Sequence, residues 1–100
     1  MRTSLMLSDV HNETCYYLLM LKEKKIGKVW VKSLKDHIFI SCFNIDEKFQ
    51  GKQYGSEMMQ HIIEKHPGIL ELLVESKNEI AIKLYRKFNF KKVSKTLFNG

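Results

Sequence analysis

The hydrophobic period of the chain changes between Ile45 and Tyr54, and again at Ile69. Before the first break, apolar residues alternate with polar ones or run in β-prone blocks. "TCYYLLMLK" (14–22) and "KIGKVWVKSL" (25–34) read as two strands joined by a turn, and "HIFISCFNI" (37–45) as a third. After the break, Tyr54, Met58, Met59, Ile62 and Ile63 fall at i, i+4, i+5, i+8 and i+9. That spacing draws one face of a helix of about four turns. "HPG" at 66–68 stops it. "ILELLVES" (69–76) is short and almost continuously apolar, as expected for a strand buried on both faces. "SKNE" (76–79) reads as a capping box opening a second helix, with Ile80, Ala81, Leu84, Tyr85 and Phe88 along one face. Asn89 stands where a left-handed C-cap residue often sits, and "FKKVSKTLF" (90–98) reads as a last strand.

The expected order is β-β-β-α-β-α-β in one domain, residues 1–100, an α/β fold with a mixed sheet. Three antiparallel strands come first. A crossover through the first helix then makes strands 37–45 and 69–76 parallel. In such sheets ligands sit at the carboxyl ends of parallel strands, beside helix N-termini. "FQGKQYGS" (49–56) lies at that place. A helix N-terminus offers unpaired N–H groups and about half a positive charge. Gly51 and Gly55 let an anion approach the backbone, and Lys48 and Lys52 add charge. A pyrophosphate suits this loop; so does a plain strand-to-helix turn with incidental glycines. The loop is neither a Walker A sequence nor a GxGxxG fingerprint.

The net charge of +6 favours polyanionic partners, although a solvated basic surface has the same composition. No apolar run approaches the ~20 residues that span a bilayer. "MRTSLMLSDV" lacks a signal-peptide core, so a cytoplasmic protein without a membrane partner is expected. Cys15 and Cys42 form no CxxC pair, and His11, His37, His61 and His66 are scattered. No metal site is expected, and both cysteines read as buried thiols.

"IDEKFQGKQYGSEMMQHI" resembles the acetyl-CoA-binding motif of the GNAT N-acetyltransferase superfamily, [RQ]-x-x-G-x-[GA], with Gln50 at its first position and Gly55 at its last. "LLVESKNEIAIKLYRKFNF" is similar to the family's V-x-x-x-N-x-x-A-x-x-L-Y-x-x-x-G-F: Val74, Asn78, Ala81, Leu84, Tyr85 and Phe90 stand in place. The resemblance covers roughly residues 25–90. It implies a GNAT-like fold in which the parallel pair splays and acetyl-CoA, the co-substrate, lies in the gap. Main-chain groups of Phe43, Asn44 and Ile45 would then meet the pantetheine arm. Those of Gln50, Gly51, Lys52, Gln53, Tyr54, Gly55 and Ser56 would hold the pyrophosphate. Asn78 would lie near the pantetheine end, and Tyr85 would protonate the departing thiolate. A backbone N–H near Ile45 would stabilise the oxyanion.

The implied activity is N-acetyl transfer to a primary amine, on a protein lysine, a peptide or a small molecule, by direct attack in a ternary complex. No general base declares itself. Glu71 and Glu75 share a strand face, and Glu75 is the candidate base; Asp46 and His37 are weaker ones, and a water chain is an alternative. A non-catalytic acyl-CoA-binding module is the competing reading. Nucleic-acid binding through "KKIGKVWVK" is a third and weaker one.

Three departures from the family pattern bear on function. Gln53 stands where the family prefers Gly, a strain of about 1 kcal/mol if its φ is positive. Asn89 replaces the Gly before Phe90. The family's first strand and two helices usually precede the hairpin, whereas about a dozen residues precede Thr14 here, and residues 90–100 supply one closing strand for two. An open acceptor side or a homodimer is the expected consequence.

Overall fold

The computed structural model describes residues 1–74, 77–92 and 97–99. Their elements run β1 (Ser4–His11), β2 (Thr14–Leu21), β3 (Lys24–Ser33), β4 (Ile38–Ile45), a 3₁₀ turn (Glu47–Phe49), α1 (Tyr54–Lys65), β5 (Leu70–Leu73), α2 (Glu79–Lys87), β6 (Lys91–Lys92) and β7 (Leu97–Asn99). The strands form one sheet in the order β1-β2-β3-β4-β5-β7-β6. β1 to β4 pair antiparallel, β4 and β5 pair parallel, and β5-β7-β6 are antiparallel again. The mixed sheet, antiparallel strands followed by the parallel neighbours β4 and β5, matches expectation.

Two strands exceed it. β1 pairs with β2 from Ser4↔Met20 to His11↔Thr14. A register shift between Leu7 and Asp9 breaks its alternation, which hides the strand from a period-2 search. The β1–β2 connection is only Asn12 and Glu13, both at positive φ (47° and 65°). That is the backbone of a tight hairpin turn, made without the glycine that usually signals one. So the chain passes from the first strand to the second in two residues, where the family resemblance implied two helices. At the other end, β6 and β7 pair antiparallel where one strand was expected.

Both helices lie on one face of the sheet. Leu19, Val29, Val31, Ile40 and Leu72 point to that face and are fully buried, in one cluster with Met58, Met59 and Ile62 of α1. The helical period of Tyr54, Met58, Met59 and Ile62 thus becomes the core seam. At the C-cap of α1, Tyr17 Oη and His66 Nε2 lie 2.7 Å apart and pin the helix end to β2. The opposite face carries the rows Met6–Leu18–Lys28–Asn44 and Asp9–Tyr16–Trp30–Ser41. Met6, Lys28 and Trp30 are exposed on it, so no described element covers that side.

Candidate active site

The site starts from a fault in β4. Lys28 of β3 faces Asn44 and Trp30 faces Ser41, so Val29 alone spans Cys42 and Phe43. This is a β-bulge, and Cys42 absorbs it at φ 50°. An exposed Cys42 corrects the expectation of a buried thiol; Cys15 is half-buried. The parallel ladder to β5 pairs Ile38↔Leu70, Phe39↔Glu71 and Ile40↔Leu72, and ends just before the bulge. Past that point the two strands part.

Two confluent hollows fill the gap. The larger, a cleft of ≈ 530 Å³, is bounded by the end of β4, the loop before α1 and one side of α2. Of the expected cofactor residues, Phe43, Asn44, Ile45, Gln50, Gly51, Gln53, Tyr54, Gly55, Ser56, Asn78 and Tyr85 all line it. Lys52 does not; its carbonyl oxygen accepts from Arg2 Nη2 at 2.7 Å. The smaller hollow, ≈ 250 Å³, lies between β4 and β5 and is lined by Ser41, Cys42, Leu73 and Val74 among others. Phe43, Asn78 and Tyr85 border both.

Two left-handed residues shape the loop into a candidate anion cradle. Gly51 (φ 75°) and Gln53 (φ 72°) both sit in the left-handed region, a conformation that turns successive N–H groups to one side. Around Gly51 nothing lies within 4 Å of where a Cβ would stand. At Gly55 a Cβ would come within 3.2 Å of Leu84 Cδ2, so the missing side chain lets α1 and α2 approach. Gln50 Nε2 donates to the Ile45 carbonyl at 2.9 Å and ties the loop to the end of β4. Lys87, at the end of α2, places its ammonium 3.3 Å from both Gln53 Oε1 and Ser56 Oγ. Sequence reading missed Lys87, because only the packing of α2 against α1 carries it to the loop.

Asn78 is the N-cap of α2, its Oδ1 accepting from the Ala81 N–H at 3.1 Å. The cap therefore stands two residues past the expected capping box, whose Ser76 lies outside the described residues. Asn78 itself borders both hollows. Tyr85 is buried between Phe43 and Phe90, with ring centroids 5.8 and 5.9 Å away. Burial pushes its phenol up to about 12. It is therefore a protonated donor throughout the neutral range.

The acids behave differently from expectation. Glu71 and His37 sit at the start of the parallel pair, with His37 Nε2 3.3 Å from Glu71 Oε1 and His37 Nδ1 2.7 Å from Asp36 Oδ1. Glu71 faces Phe39, four residues short of Phe43, or roughly 13 Å along the strand. Asp46 pairs with Lys25 at 3.3 Å. None of these three reaches the cleft. Glu75, the candidate base, lies outside the described residues. Among the described residues no cluster of His, Cys, Asp and Glu could hold a metal ion.

The chain matches the Acetyltransferase (GNAT) family over residues 2–90, and it belongs to that family. Its fold is similar to a GNAT family acetyltransferase from Elizabethkingia anophelis with acetyl-CoA bound (TM-score 0.81, 16% identity, 87% of this chain and 75% of that one). It is also similar to the ribosomal-protein-S18-alanine N-acetyltransferase from Escherichia coli (0.77, 16%, 90% and 68%). A third likeness is to Arabidopsis thaliana NAA60 in complex with a bisubstrate analogue (0.76, 14%, 89% and 76%). At these identities the likeness carries the fold alone. No curated protein sequence matches the chain.

Proposed function

We propose that this chain is a cytoplasmic N-acetyltransferase that moves the acetyl group of acetyl-CoA to a primary amine by direct attack in a ternary complex. The observation that carries this is the position of Tyr85, a protonated phenol where the two hollows meet. The cradle of residues 50–56 takes the pyrophosphate, helped by Lys87 and the start of α1. The pantetheine arm runs along Phe43, Asn44 and Ile45 towards Asn78. The amine nitrogen bonds to the thioester carbonyl carbon while a backbone N–H near Ile45 holds the oxyanion, an interaction worth about 3 kcal/mol. The C–S bond then breaks and the thiolate takes the Tyr85 proton. The proton shed by the amine leaves through water, or through Glu75 if that carboxylate reaches the gap.

The acceptor is a peptide or protein amine. The smaller hollow opens among Ser41, Cys42 and Leu73, beside the bare sheet face. With a two-residue β1–β2 turn, no helix from that connection narrows the approach, so a bulky acceptor has room. The test is direct. Acetyl-CoA is mixed with lysine-bearing peptides, N-terminal peptides and small amines, and released thiol is followed. Tyr85→Phe should lower kcat about 10²-fold and leave KM for acetyl-CoA within about threefold. Full activity in that variant would end the role assigned to Tyr85.

A second reading has one observation in its favour: no acid among the described residues reaches the cleft. A non-catalytic acyl-CoA-binding module would bind coenzyme A and release no thiol with any amine. Nucleic-acid binding by the Lys28–Trp30–Lys32 face is the weakest alternative. It predicts affinity that falls with salt at a log–log slope of about −0.9 per phosphate contact.

A further inference from the structure

Arg2 stands before β1, far in sequence from the loop, yet three contacts fasten it there. Its Nε donates to Glu57 Oε2 at 2.7 Å, its Nη2 donates to the Lys52 carbonyl at 2.7 Å, and its guanidinium lies 4.3 Å from the centre of the Tyr54 ring. Thr3 completes the anchor, with its N–H and hydroxyl both donating to Glu57 Oε1 at 3.1 and 2.7 Å. We propose that Arg2 is a positioning residue for the phosphate loop: it holds the Lys52–Gln53 peptide plane so that the Gln53 N–H faces the cleft.

The reasoning is geometric. In a planar trans peptide the C=O and the following N–H point in opposite directions. Fixing the Lys52 carbonyl on Arg2 therefore turns the Gln53 N–H the other way, and Gln53 lines the cleft whereas Lys52 does not. Without the clamp the plane has a reason to rotate. Half a turn would carry Gln53 from φ 72° into the negative-φ region that L-residues prefer, and would swing its N–H out of the cradle. Glycine at this position would feel no such pull. Arg2 thus offsets, from the opposite side of the loop, the side chain that Gln53 brings to it. The planar fork donates to Glu57 and to the carbonyl from two different nitrogens held in fixed geometry; a lysine ammonium keeps the charge but donates from a single atom on a flexible stem.

The inference rests on the loop's binding coenzyme A phosphates, and the experiment separates the two. Arg2→Ala and Arg2→Lys are made alone and together with Gln53→Gly, and the Kd of coenzyme A is measured by calorimetry. A loop competent only a tenth of the time binds about tenfold more weakly, so each Arg2 variant should raise Kd by about that factor. Acetyl transfer at saturating acetyl-CoA should keep its kcat. Adding Gln53→Gly should bring Kd back to within about threefold. Unchanged affinity in Arg2→Ala, wild-type affinity in Arg2→Lys, or no recovery with Gln53→Gly would each overturn the clamp. A wild-type protein that does not bind coenzyme A would overturn the phosphate reading instead. The amide resonance of Gln53 in the ligand-free protein then judges the clamp alone: it should move in Arg2→Lys, and a resonance that stays put rejects the idea.

Discussion

Gln53 sits at φ 72° where a glycine would rest without strain. The strain is about 1 kcal/mol, yet replacing Gln53 by Gly also frees the unfolded chain, which costs about 0.4–1 kcal/mol. The two nearly cancel, and the exposed contact to Lys87 adds little. Gln53→Gly should therefore shift Tm by no more than about 3 °C, read by thermal unfolding. Tyr85 sets a second expectation. Its phenol is raised to about 12 by burial, so the donor stays protonated below that pH. The kcat/KM should climb through the alkaline range as the acceptor's ammonium loses its proton. An alkaline fall with a midpoint near about 9 would show a donor other than Tyr85. The sequence singled out Tyr85 and, apart from Lys52, loop residues that line the cleft. It had no means of placing Lys87, Arg2 or the distant Glu71, because each acquires its role from a neighbour more than thirty residues away in the chain.

At the scale of elements, the helices and β5 were legible because burial on one face imposes a period on the sequence. β1 was not, since a bulge disrupts its alternation and its turn lacks glycine. The same element is latched to α1 through Glu57. Burial by itself would raise that carboxyl, but hydrogen bonds from the Thr3 hydroxyl, Arg2 and the Thr3 amide, and the charge of Arg2, hold it below its ordinary value of 4.5. A carboxylate whose folded pKa is depressed stabilises the fold above its unfolded pKa. That contribution fades as pH falls through the lower folded value. Tm should therefore drop on acidification below about pH 4.5, and Glu57→Gln should start lower at neutral pH and lose less. Equal acid sensitivity in the two proteins would show that the latch contributes nothing.

The whole molecule measures 37 × 30 × 19 Å. Its thin dimension fits one sheet and one helix layer, about 10 Å each, and leaves the Tyr16–Trp30 face bare. Trp30 and Leu73 are 38% and 57% exposed. If a second copy covers this face, light scattering at micromolar concentration should show a dimer, and Trp30→Glu should make it a monomer. A wild-type monomer leaves the face free for the acceptor. The sequence by itself determined the alternation, the helical faces and the order of elements, because those follow from contacts between near neighbours. It also carried the family motif. The tertiary structure alone decided where β4 and β5 part, which charges meet the loop and which face stays open. A bulge, a salt bridge between distant residues and an uncovered sheet face are properties of pairing, and pairing leaves no period in the chain that enters it.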